Sequence, residues 1–186
     1  MARLIYSTIA SLDGYIEDPD GRFDFAMPDA EMHGFVNDRE RPIGTYLYGR
    51  RIYETMVYWE TNGDGPGDAP AEHDYAALWR AADKVVYSTT LEQVTTARTR
   101  LERSFDADVV RALKESAERD VGIGSTGVAA AAFAAGLVDE LQIYLHPIAV
   151  GGGRPALPPG QRLPLELIER HEFGSGAVFL RYRCLP

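Results

Sequence analysis

The chain has 186 residues, 45% of them hydrophobic, and a formal net charge of −9. That composition excludes disorder as the default and suits one domain, 1–186, with its own core. With no long basic block, it also excludes a nucleic-acid partner held through phosphate contacts, although not an anionic ligand in a local basic pocket.

Cys184 is the only cysteine, so no intrachain disulfide framework exists and a reducing, cytoplasmic compartment is expected. The N-terminus has no basic region leading into an apolar run, so no signal peptide is read. Val121–Val138 is uncharged, but its glycines, alanines, Ser125 and Thr126 make it too weakly apolar for a membrane span.

Arg3–Ala10 is rich in β-formers and predicts an opening strand. The loop through Asp13 and Gly14 to the Asp18-Pro19-Asp20-Gly21 turn follows it, and such loops often carry site residues. Asp13 reads equally well as a turn carboxylate bonded to its own backbone. Pro28-Asp29 predicts a helix entry with Met32, Phe35 and Val36 at helical spacing. Glu31 and His33 ride this helix, most simply on a solvated face.

Thr45–Tyr48 predicts a short strand, Gly49 a turn, and Ile52–Met56 a helix, with Arg50 and Arg51 at its start. Cations there oppose the helix dipole, and an anion bound between them and the free amides reverses that cost. Surface arginines are the other reading. Thr61–Pro70 reads as a flexible stretch, Glu72–Ala82 as a helix, and Lys84–Ser88 as a strand that ends in hydroxyls at Ser88 and Thr89. Asp106 is placed to cap a helix striped with Val109, Val110, Leu113 and Ala117.

Asp120–Pro155 then reads as strand, glycine turn, helix, strand and glycine loop. Ser125 or Thr126 caps the helix Val128–Ala135, Gly136 stops it, and Gly151-Gly152-Gly153 ends the unit. Gly124-Ser125-Thr126-Gly127 before a helix suits phosphate binding as well as it suits tight packing. Gly122, Gly124 and Gly127 also match G-x-G-x-x-G. The dinucleotide fingerprint, however, needs an acidic residue at the end of the second strand, and Asp139 and Glu140 precede that strand. Leu165–Phe173 and Ala177–Arg183, joined by Gly174-Ser175-Gly176, predict a closing antiparallel hairpin. His33, His73, His146 and His171 lack ligand spacing, so no metal site is read.

Three predicted strand ends thus carry small or polar groups: Gly49-Arg50, Ser88-Thr89 and Gly124–Gly127. In a mostly parallel sheet they share one edge, where one elongated ligand with several phosphates touches all three.

The order SLDGYI, YLYGRRIYE, KVVYSTTL, IGSTG…AAGLVDEL, HPIAVGGGRPAL and GAVFLRYR resembles the dihydrofolate reductase-like superfamily. Within it, the chain is similar to a stand-alone form of the reductase domain of bifunctional riboflavin-biosynthesis deaminase-reductases. The resemblance implies an α/β three-layer fold, with a mostly parallel mixed sheet flanked by helices, that binds NADPH in extended form. It implies Gly49 and Arg50 at the 2′-phosphate with Arg51 nearby, and Ser88 and Thr89 on the adenosine side. Gly124, Ser125, Thr126, Gly127 and Val128 are implied at the pyrophosphate, and Gly151 and Gly152 beside the nicotinamide. Thr8, Ile9 and the Asp13–Ile16 loop are implied over the nicotinamide and substrate.

The activity implied is hydride transfer to a C=O or C=N carbon of a small pyrimidine- or pterin-like substrate, with Asp13 or Glu31 delivering a proton directly or through water. Related reductase domains often pair, which admits a homodimer. The chain departs from the family pattern in having Gly124-Ser125 for Gly-Gly and Ile52 for a threonine. It also lacks a deaminase zinc signature. True dihydrofolate reduction, a non-catalytic NADP-binding role and a purely structural role are the alternatives.

Overall fold

A computed structural model describes residues 1–186. The chain runs β1 (Leu4–Ser11), β2 (Tyr15–Glu17), a 3-10 turn (Asp24–Ala26), α1 (Ala30–Glu40), β3 (Ile43–Gly49), α2 (Arg50–Met56), α3 (Tyr58–Thr61) and α4 (Pro70–Ala81). It continues β4 (Asp83–Tyr87), β5 (Thr99–Glu102), α5 (Ala107–Ser116), β6 (Asp120–Ile123), α6 (Thr126–Ala134), β7 (Glu140–His146), β8 (Arg154–Pro155), β9 (Leu165–Glu172) and β10 (Val178–Cys184).

Eight strands form one mixed sheet in the order β5-β4-β3-β6-β1-β7-β10-β9, and β2 and β8 form a separate two-stranded ribbon. Every pairing from β5 to β7 is parallel, and the β9–β10 hairpin adds the antiparallel edge. The parallel strands therefore end along one rim.

The strands are buried on both faces, as a helix-covered parallel sheet requires. On one face Leu4, Leu47, Val121 and Leu141 pack against Val110 of α5 and Val128, Ala129 and Ala132 of α6. The alanines let α6 lie close to the sheet. On the other face Tyr46, Tyr48 and Val86 meet Tyr53 of α2 and Trp79 of α4, while Tyr144 and Phe179 meet Met32 and Phe35 of α1.

The edge opposite the rim is crossed by alternating ion pairs. Asp120 binds Arg3, Arg3 binds Glu140 at 2.7 Å, Glu140 binds Arg181 at 2.9 Å, Arg181 binds Glu169 at 3.1 Å, and Glu169 binds Arg39. Glu140 is 6% exposed, and both arginines offset the cost of burying its carboxylate.

Most sequence expectations hold, with corrections at the ends of elements. Asp106 caps α5 through the Asp108 and Val109 amides, and Gly136 stops α6 at φ +64°. The α4 helix begins at Pro70 rather than Glu72, because proline suits the first helical position and Glu72 accepts the Ala69 amide at 2.6 Å. The α2 helix begins at Arg50 rather than Ile52. Thr61 closes a short helix and does not open a loop. Strands β2, β5 and β8 were not expected: they span three, four and two residues, too few for an alternating pattern to show. No helix is long and apolar enough to cross a membrane.

Candidate active site

The three strand ends singled out in the sequence come together on adjacent strands. Gly49, the last residue of β3, pairs with Tyr87, and Ser88 follows immediately. Leu47 pairs with Ile123, and the Gly124 amide donates to the Leu47 carbonyl at 3.2 Å. A side chain at either of two of these glycines would force a neighbour to move. A Cβ on Gly49 would lie 2.6 Å from Ser125 Oγ, and one on Gly124 would lie 2.8 Å from the Tyr48 ring. Gly122 is also a packing glycine, against Ile43 and Tyr46, so the literal G-x-G-x-x-G match comes from packing. Asp139 lies at the far edge, bonded to Lys114, as the rejection of the dinucleotide fingerprint requires.

Gly127 differs from these: a Cβ there would meet nothing within 4 Å. Ser125 occupies the N-cap of α6 but makes no capping hydrogen bond. In contrast, Asp29 caps α1 and Asp106 caps α5. The nine-residue α6 thus opens onto the rim with bare amides beside an uncrowded glycine, a cradle suited to an anion.

The arginines diverge. Arg50 pairs with Glu54 at 2.7 Å and donates to Thr90 Oγ1 at 3.0 Å, joining the ends of β3 and β4. Arg51 reaches the other way, to Glu17 of β2 at 3.4 Å. Ser88 Oγ accepts the Thr90 and Leu91 amides and shapes its own turn, while Thr89 is exposed. The sequence reading missed Arg103. Its guanidinium donates to the Ser88, Leu91 and Glu92 carbonyls at 3.2, 2.6 and 3.4 Å and has no acidic partner. Recognising β5 would have pointed to it, as the first residue beyond that strand.

Farther along the rim the sheet splits. The β1–β6 pairing stops at Tyr6, whereas β1 stays paired with β7 to Ser11. A slot therefore opens between β1 and the start of α6, with unladdered β1 backbone along one side. Thr8 and Ile9 lie in this stretch on opposite faces. Ile9 packs beside Tyr144 under α1, and the Thr8 hydroxyl makes only a 3.4 Å bond to the Ile9 carbonyl.

Asp13 accepts bonds from Ser11 Oγ at 2.6 Å and from the Val150 and Gly151 amides at 3.1 and 2.7 Å. The Ser11 hydroxyl first, and then those amides, hold its carboxyl below the usual range, so it is an anion that fastens its loop to the triple-glycine loop. Gly151, Gly152 and Gly153 all have positive φ, and a Cβ on Gly153 would lie 1.9 Å from the Glu17 carbonyl. Glu31 is not brought near Asp13. It is exposed in the first turn of α1 and accepts the Gly174 amide at 2.9 Å, tying the helix to the closing hairpin.

His146 ends β7 at this rim with its ring 6.5 Å from that of Phe25, and its Nε2 is buried without a partner. Burial lowers its pKa, so the imidazole is neutral at pH 7. No three His, Cys, Asp or Glu side chains are grouped so as to hold a metal ion. A 570 Å³ hollow lined by Phe133, Val138, Arg162 and Cys184 lies by the start of β7, at the edge away from the rim.

A family described as "RibD C-terminal domain" matches residues 2–179. The uncharacterized protein YyaP of Bacillus subtilis (strain 168) is 28% identical over 182 residues, covering 97% of this chain and 94% of its own. A solved structure from Shewanella sp. PV-4, named for riboflavin biosynthesis, is 22% identical with a TM-score of 0.75, covering all of both chains. The Thermotoga maritima diaminohydroxyphosphoribosylaminopyrimidine deaminase/5-amino-6-(5-phosphoribosylamino)uracil reductase is 14% identical with a TM-score of 0.65. That match covers 99% of this chain but 57% of the Thermotoga chain. At these identities the two structures show the shared fold.

Proposed function

This chain belongs to the RibD C-terminal domain family, of riboflavin-pathway reductase type, and on that premise we propose that it is an NADPH-dependent reductase acting on a C=O or C=N carbon of a small heterocyclic substrate. The observation that carries the reading is the shared rim, where an uncapped helix, an arginine and an open slot follow one another. When bound, the nicotinamide cofactor supplies the hydride.

The chain's own residues hold and orient. The amides of Thr126, Gly127 and Val128 receive the pyrophosphate, where the α6 dipole favours negative charge. Arg50 offers a planar fork to the 2′-phosphate, with Gly49 admitting close approach and Ser88 and Thr89 flanking the adenosine. The β1 backbone beside the slot, at Thr8 and Ile9, orients the nicotinamide, and Gly151 and Gly152 border it. The joined Asp13 and glycine loops close the slot to bulk water. Asp13, held as an anion, orients a water that brings the proton.

Dihydrofolate reduction would need a buried carboxylate on α1 facing the ring. Glu31 is exposed and bonded to Gly174, so the geometry gives that alternative no support. Titrating the protein with NADPH and following fluorescence, with NADH as control, tests the proposal. Saturable binding with NADPH favoured is expected, and no binding at about millimolar cofactor would remove it.

A further inference from the structure

If the cofactor lies over the ends of β3, β4 and β6, the substrate is left with the ends of β1 and β7 and the segment from Leu12 to Val36. That segment leaves β1 at the rim and returns as α1 over the same face, and it is one-sided in charge. It carries seven carboxylates against one arginine, Arg22.

The arginines that reach this end are already paired. Arg22 binds Asp18 and Asp20 at 2.9 and 2.7 Å. Arg154 and Arg51 share Glu17, at 2.8 and 3.4 Å. His146 is held neutral by burial. The N-terminus of α1, otherwise an anion site, is filled by the Asp29 carboxylate on the Met32 amide and has Glu31 in its first turn. A phosphate here would meet three arginines, each already on a carboxylate, against seven negative charges.

The apolar groups are as telling. Leu12, Phe23, Met27 and Ile148 are large side chains left exposed, and all four lie on this segment or on the loop it is bonded to. The Leu12 amide donates to the Ile148 carbonyl at 2.7 Å, which places those two side by side. Phe23 and Met27 flank Phe25, whose ring stands against His146.

We infer that this protein takes a substrate without a phosphate, a neutral heterocycle whose outward part is an apolar substituent. The inference rests on the reductase reading above and narrows its substrate class. It separates this chain from a reductase of a phosphoribosylated uracil, such as the Thermotoga relative is named for.

Three probes test it on the full chain saturated with NADP⁺, by calorimetric titration: 5-amino-6-(5-phosphoribosylamino)uracil, the same compound without its phosphate, and the analogue with a butylamino group in place of the sugar. The butyl compound should bind at least as tightly as the ribosyl compound. Both should bind about tenfold or more tighter than the phosphorylated one, and that gap should narrow as added salt screens the carboxylates. Equal or tighter binding of the phosphorylated probe overturns the inference. So do a gap that ignores salt, a butyl compound weaker than the ribosyl one, and failure of all three to bind. Cofactor binding is measured separately, so its loss would remove the reductase reading, whereas intact cofactor binding with the wrong probe order removes only this inference.

Discussion

Glu40 ends α1 with its carboxyl turned inward, accepting the Tyr46 hydroxyl at 2.9 Å. Tyr46 stacks on Tyr48 at 5.4 Å, and Tyr75 and Tyr144 close the surroundings, so no cation pairs with it. Burial pushes the carboxyl up to about 7, against an opposing hydrogen bond from Tyr46. The folded state then holds this proton more tightly than the unfolded chain does. Stability therefore falls as pH rises from about 4.5 to about 7 and stays level above, a cost of about 3 kcal/mol from this group. Glu40→Gln keeps an oxygen for Tyr46 and removes the titration. Its new amide lacks a partner, so the gain over the parent should be about 2 kcal/mol at pH 8 and within about 1 kcal/mol at pH 5. Urea unfolding of both proteins at the two pH values measures the difference. His33 and His146, whose pKa values burial lowers, are common to both proteins and cancel. The reasoning fails if the offset is the same at both pH values or if Glu40→Gln is the less stable protein at pH 8.

The two rim arginines should behave differently. Arg50→Ala should weaken NADPH about tenfold or more and NADH much less, because only one carries the 2′-phosphate. Arg103→Ala should weaken both alike by loosening the Ser88–Glu92 turn; equal losses in Arg50→Ala would refute the phosphate contact. Gly153→Ala forces a methyl into the Glu17 carbonyl at positive φ, so a loss of more than about 3 kcal/mol is expected, read as a fall in melting temperature. Glu140→Ala removes the buried carboxylate between Arg3 and Arg181, which keep Asp120 and Glu169 as partners, and denaturant titration should show a loss of about 1–3 kcal/mol.

The sequence shows what is local. The aspartate caps of α1 and α5, the αL stop at Gly136 and the closing hairpin are each decided within a few residues, and all are found. The common rim follows from parallel pairing, which the strand–helix alternation implies. The carboxylates are another matter. Asp13 meets Gly151 across 138 positions and Glu31 meets Gly174 across 143, so their hydrogen-bond partners are set by the fold alone. Arg103 was hidden because β5 is four residues long and two of them are charged, which gives no alternation to detect.

The parting of β1 from β6 has a mechanical meaning. It leaves β5-β4-β3-β6 and β1-β7-β10-β9 laddered to each other over Leu4–Tyr6 alone, with one core beneath α5 and α6 bridging both. At that end Asp120 of β6 grips Arg3, and through it Glu140 of β7, and works like a clamp. Above that joint a stretch of β1 keeps backbone groups that no neighbouring strand on the α6 side claims, while the laddered and ion-paired end beneath stays closed.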